Sequence, residues 1–146
     1  MKLTGPQGEF ELNIIDYEFA DSAAFLDRNW LIVSLKTSSN GHQFNHAGPI
    51  LSTWEIELLL DWMRSVAANQ ALSPKLTFVE PVLGFRAKSP GRGQYNLRIK
   101  LDRDVKPSWH QDESRPYWFR VKADRQQLWG AIRDLESQLQ RFPVRH

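Results

Sequence analysis

Histidine is the residue type of this chain whose spacing comes nearest to a metal or acid–base site. His42 and His46 are four residues apart, a spacing that brings both rings to one face of a helix. The turn residues Ser38-Ser39-Asn40-Gly41, however, predict that the segment returns as a strand, on which the two rings would lie about 13 Å apart. His110 lies in a polar stretch with no partner visible in the sequence, and no His-Glu-x-x-His pattern occurs. The histidines therefore predict neither a metal site nor a catalytic base.

The other residues with catalytic potential also lack a recognisable arrangement. The chain contains no cysteine, which excludes thiolate nucleophiles, disulfides and zinc sites built on cysteine. No serine stands in a Gly-x-Ser-x-Gly elbow, and Gly91-Arg92-Gly93 lacks the lysine and serine that complete a phosphate-binding loop. We therefore predict no catalytic residue, no cofactor and no metal. An enzyme whose site assembles from scattered loop residues is an open alternative.

Basic side chains recur on one side of three predicted strands in the second half of the chain. Strand alternation places Trp118 on the same side as Arg86, Lys88, Arg98, Lys100, Arg120 and Lys122. Cations beside an aromatic ring are typical of platforms that bind single-stranded nucleic acid. A nucleic-acid-binding module that uses Arg98, Lys100, Arg120 and Lys122 is therefore one candidate function. The other interpretation is a solvated sheet face, which long basic side chains ordinarily cover.

Charge is distributed unevenly along the chain, although the net charge is only +2. Residues 1–73 hold 4 basic and 9 acidic side chains, a net charge of −5, whereas residues 74–146 hold 15 and 8, a net charge of +7. Such asymmetry indicates a partner attracted by electrostatics, unless the fold mixes the two halves over its surface. The N-terminal segment lacks the apolar core of a secretory signal, and no apolar run is long enough to cross a bilayer. We therefore expect a cytoplasmic protein without a membrane partner.

The elements that would position these residues are mostly strands. Period-two alternation and flanking turn residues predict strands at Glu9–Ile15, Trp30–Thr37, His42–Ile50, Lys75–Glu80, Leu83–Lys88, Gln94–Asp102 and Pro116–Lys122. Capping boxes that begin at Ser52 and Asp124 predict two principal helices, near Thr53–Ala68 and Arg125–Gln140. Trp62 lies among apolar residues at helical spacing and is expected to be buried. The chain is thus predicted to be one α+β domain over residues 1–146, an antiparallel sheet of six or seven short strands with two principal helices.

Four segments together resemble the WapI-type immunity proteins, small bacterial antidotes to the toxic ends of polymorphic cell-surface toxins. The segments are GPQGEFELNIIDYEF, DRNWLIVSLK, ILSTWEIELLLDWM and FRVKADRQQLWGAIRDLESQLQRFP. The resemblance is one of pattern and order, and it covers well over half of the chain. It implies a non-catalytic inhibitor whose partner is a cognate protein toxin, with nucleic acid a less favoured partner.

The resemblance also suggests which residues would meet the toxin. Toxin nucleases are generally basic, and complementary charge speeds their capture. The acidic first half would then supply the contact through Glu9, Glu11, Asp16, Glu18, Asp21 and Asp27. Trp109 and Trp118 are the tryptophans expected to be exposed, where they would anchor an interface.

Overall fold

Two antiparallel four-stranded sheets form the framework of the protein. The computed structural model describes residues 1–19, 21–70 and 73–146, without the side chains of Ser89 and Pro90. The first sheet consists of β1 (Lys2–Gly5), β2 (Gly8–Tyr17), β3 (Trp30–Ser39) and β4 (His42–Ser52). The second consists of β5 (Lys75–Thr77), β6 (Leu83–Gly91), β7 (Gln94–Leu101) and β8 (Tyr117–Asp124). In both sheets the strands follow one another in chain order, so each connection is a hairpin or a short excursion.

Within the described residues, three α-helices accompany the sheets: α1 (Phe25–Arg28), α2 (Thr53–Ala67) and α3 (Arg125–Arg141), with a 3-10 turn at Arg103–Val105. Both predicted capping boxes are present. The backbone N–H of Ser52 donates to Glu55 over 3.0 Å, and Asp124 accepts from the N–H of Gln127 over 2.7 Å. The two long helices therefore begin where the sequence predicts, because satisfied N-terminal amides fix their starting points.

The predicted α+β class and antiparallel pairing are confirmed, and the part of the chain that the structure describes contains eight strands rather than six or seven. The additional strand is β1, whose only apolar position between Lys2 and Thr4 is Leu3, too few residues to show alternation. The strands also divide into two sheets, which alternation cannot reveal because it reports faces and not pairing partners.

The inner faces of the two sheets share one hydrophobic core. Phe10 on β2 lies against Phe85 on β6 and Phe119 on β8, with ring centroids 6.5 and 6.4 Å apart. Trp62 on α2 packs on Phe85 and is 8% exposed, as predicted. Leu58, one turn earlier, is instead 51% exposed. The outer faces of both sheets are thereby left to solvent.

Helix α3 is joined to the first sheet at a bulge. The register between β2 and β3 shifts between Ile14 and Asp16. At this point the side chain of Gln138 accepts from the N–H of Ile14 over 2.7 Å and donates to the carbonyl of Leu12 over 3.2 Å. Gln138 thereby gives the N–H of Ile14 an acceptor where β1 no longer runs beside β2, and it adds a second donor to the Leu12 carbonyl, which already accepts from the N-terminal ammonium of Met1 over 2.8 Å.

Candidate partner-binding surface

A row of cations crosses the outer face of the second sheet. The register places Lys75, Arg86, Arg98 and Arg120 directly opposite one another on the four neighbouring strands, and all four are exposed. Lys88 and Lys122 occupy the next row, and Lys100 the row on the other side. We call these seven residues and Trp118 the basic face. Because the strands of a sheet lie about 4.8 Å apart, the row of four is about 14 Å long.

Trp118 organises the centre of the basic face. Two guanidinium groups, those of Arg86 and Arg98, lie over its ring, each 4.7 Å from the ring centroid. Such contacts are attractive because the ring face carries negative electrostatic potential. The half-buried indole therefore holds two arginines on neighbouring strands in place.

No cation of the basic face forms an ion pair with a carboxylate among the residues that the structure describes. The nearest carboxylates along the strands, Asp102 and Asp124, accept hydrogen bonds from the first turns of the helices that follow them. A hollow of about 370 Å³ lies at one side of this face, between Lys75, Arg86, Lys88 and Arg98. The face thus presents positive charge that the described chain leaves uncompensated.

The predicted acidic contact residues lie elsewhere, and the structure groups only some of them. Glu9 and Glu11 lie together on the outer face of the first sheet, where Lys2 is 3.9 Å from Glu9. A hydrogen bond from Asn13 lowers the pKa of Glu11, and the charges of Lys2 and Lys36 add to this effect. The carboxylates of this face are therefore partly neutralised by their own neighbours.

The other four acidic residues follow along the chain. After the bulge, Asp16 pairs with Ile32 and accepts a hydrogen bond from the N–H of Tyr17 over 2.8 Å. Glu18 and Asp21 lie in the connection between β2 and α1, and Asp27 lies in α1 itself. These four residues thus lie between the end of β2 and α1, whereas Glu9 and Glu11 lie at the start of β2.

Both tryptophans that were expected to be exposed are half-buried. Trp109 stacks on His42 with ring centroids 5.7 Å apart and meets the ring of Tyr117 edge-on at 5.9 Å. This contact links the loop before β8 to the β3–β4 hairpin, so Trp109 ties the two sheets together. Its distance along the chain from His42 explains why the sequence could not show the contact.

The comparison with known families decides to which group the chain belongs. The model of the Immunity protein WapI-like family matches residues 2–143. The chain belongs to this family. No curated protein and no solved structure matches the chain. The resemblance inferred from the four sequence segments is thereby confirmed.

A second surface of this WapI-like protein was not predicted from the sequence. A groove of about 680 Å³ lies between α2, α3 and the C-terminal segment, and its lining includes Phe25, Trp54, Glu57, Glu136 and His146. The ring of Phe25 stacks between those of Trp54 and His146, with centroids 6.0 and 6.3 Å apart. Phe25 is 43% exposed, and no signal in the sequence marked it, because its neighbours come from α2, α3 and the C-terminal segment.

The histidines of this WapI-like protein belong to no metal-ligand set among the described residues. His42 and His46 are both on β4, as the strand pattern predicted. Within the described residues, no group of three His, Asp or Glu side chains could hold a metal ion. Within the same residues, no helix is long and apolar enough to cross a membrane.

Proposed function

We propose that this chain is a non-catalytic immunity protein that binds one cognate bacterial toxin domain and thereby neutralises it. The observation that carries the proposal is the match of the WapI-like family model to residues 2–143. A stoichiometric inhibitor needs a surface complementary to its target, together with a rigid scaffold that presents that surface. Two sheets sharing one core with two long helices provide such a scaffold.

Co-expression with the toxin tests this function directly. The C-terminal domain encoded by the reading frame immediately upstream is tested as the candidate toxin in a sensitive host, with and without the WapI-like chain. We expect growth to be restored only when the chain is present, and the purified proteins to form a stable complex. Growth arrest that persists despite full expression of the chain would show that the immunity assignment is wrong.

Binding of nucleic acid is the second candidate function, and the uncompensated basic face is the observation that favours it. Contacts with phosphates release counterions, so affinity for DNA or RNA would fall steeply as the salt concentration rises. An immunity protein should instead show no such salt-dependent binding to nucleic acid. Titration of a labelled DNA duplex and a labelled single-stranded RNA at several salt concentrations separates the two functions.

A further inference from the structure

The basic face is arranged at a cost to the isolated protein. Arg86, Arg98 and Arg120 are direct cross-strand neighbours, and like charges in such positions destabilise a sheet. Alternation of charge along the row would remove the repulsion without any change in the core. A local arrangement that opposes stability is expected where a surface has a binding role.

The arginines of this face are also partly fixed before any partner arrives. Arg86 and Arg98 lie over the Trp118 ring, which restricts side chains that would otherwise lose rotamer freedom on binding. A guanidinium is planar and donates two parallel hydrogen bonds to a carboxylate. Two neighbouring guanidinium groups held in this way suit a surface on which several carboxylates are displayed together.

The basic face is less suited to nucleic acid or to a second copy of this chain. Among the described side chains that point outward from β5 to β8, Trp118 is the one aromatic residue. Two arginine side chains already lie over its ring. A base would therefore compete with these arginines for the stacking surface. A second copy bound symmetrically through this face would bring like charges together.

We propose that the basic face is the surface through which this protein binds its toxin, and that it docks on a carboxylate-rich patch of the toxin domain. This inference rests on the proposed immunity function. It assigns the contact to the second sheet instead of to Glu9, Glu11 and the other acidic residues of the first half. It also gives the positive charge of residues 74–146 a role.

The test measures the dissociation constant of the complex with the toxin domain that the co-expression experiment identifies. Replacement of two exposed arginines in the central row, Arg98→Glu with Arg120→Glu, is expected to weaken binding about 100-fold, because two carboxylates then face carboxylates. The second variant, Arg98→Gln with Arg120→Gln, removes the two positive charges without placing negative charges opposite the carboxylates of the toxin. Unfolding in urea verifies that each variant is folded.

Three further variants separate position from charge. Arg125→Glu with Arg133→Glu makes the same change of charge on exposed positions of α3, and Glu9→Lys with Glu11→Lys reverses the acidic pair. Both double variants are expected to stay within about threefold of the wild type, because distant charges are screened. Trp118→Ala is expected to weaken binding about tenfold through loss of the ring that positions the arginines.

Each outcome decides one claim. Weak binding by the Arg98 and Arg120 variants, with unchanged controls, supports the basic face. Unchanged binding by those variants, while the wild type still rescues growth, overturns this inference and leaves the immunity function intact. Failure of the wild type to bind or rescue overturns both. Binding of a DNA duplex that is lost in these variants, while toxin binding is retained, assigns the basic face to nucleic acid and overturns the inference.

Discussion

At the scale of single residues, Trp62 and Trp118 have different roles because each meets different side chains from distant parts of the chain. Trp62 fills the core beside Phe85, and its indole N–H donates to the carbonyl of Ser73 over 3.1 Å. Trp118 lies on the outer face, where its ring meets two guanidinium groups. One tryptophan therefore stabilises the fold, whereas the other shapes a surface.

Replacement of Trp62 by alanine should lower the free energy of unfolding by about 3–5 kcal/mol, the usual loss when a large buried side chain leaves a cavity. Urea unfolding measures this loss. Leu58→Ala on the same helix removes an exposed side chain and is expected to cost less than about 1 kcal/mol. Equal losses in the two variants would contradict the burial of Trp62.

Asp134 should make stability depend on pH. Its carboxylate pairs with the N-terminal ammonium of Met1, and this hydrogen bond, with a smaller one from Gln138, lowers the pKa of Asp134 below its usual value. A lowered folded-state pKa means that the stabilisation is present above the unfolded-state pKa and is lost as the pH falls through the folded-state pKa. The wild type should therefore exceed Asp134→Asn in stability at pH 7, and the difference should shrink as the pH falls below about 4.

Urea unfolding of both proteins at several pH values provides the measurement. Glu57→Gln, which removes an exposed carboxylate from α2, controls for the loss of one negative charge. A difference between wild type and Asp134→Asn that stays constant down to strongly acidic pH would refute the role of this pair.

At the scale of elements, side-chain hydrogen bonds hold together parts of the chain that no backbone ladder joins. Asn29, fully buried after α1, accepts from the hydroxyl of Thr53 over 2.9 Å and from the N–H of Arg145 over 2.7 Å. It thereby connects α1, the first residue of α2 and the C-terminal segment. Gln138 does the same for α3 and β2.

The change Gln138→Leu should lower the free energy of unfolding by about 1–3 kcal/mol, because the N–H of Ile14 loses its acceptor while it stays buried. Gln140→Leu, at an exposed position of the same helix, is the matched control and should change stability by less than about 0.5 kcal/mol. Hydrogen exchange of the Ile14 amide supplies a local readout. Unchanged protection of this amide in Gln138→Leu would show that another group satisfies it.

At the scale of the whole molecule, charge is separated between the two sheets. The outer face of the first sheet carries acids that Lys2 and Lys36 partly neutralise. The outer face of the second carries seven cations without a described acidic partner. The half-by-half charge asymmetry of the sequence therefore survives folding, because each half forms its own sheet.

This separation should steer association with the toxin. If the basic face makes the contact, the association rate should fall about tenfold as the salt concentration rises from about 50 to 500 mM, because ions screen the attraction. The dissociation rate should change much less. Stopped-flow mixing measures both rates. An association rate of the Arg98→Glu, Arg120→Glu protein with the salt dependence of the wild type would contradict steering by this face.

The sequence by itself determined the local features of this protein. Alternation and turn residues marked seven of the eight strands that the structure describes, and alternation marked the outward side of the basic residues. Capping boxes marked the starts of α2 and α3. These signals act between residues close in the chain. The four sequence segments, taken in their order along the chain, were also enough to indicate the family. The short strand β1 was not predicted, because a single buried leucine between polar neighbours shows no alternation.

Only the tertiary structure decided which faces carry uncompensated charge. The division into two sheets, the contact of Trp109 with His42 and the position of Arg86 and Arg98 over Trp118 all join residues far apart in the chain. The ion pair of Lys2 with Glu9 likewise forms only when β1 and β2 are brought together. A charge in the sequence states only its sign, whereas its availability to a partner depends on the opposite charges that the fold brings within a few ångströms.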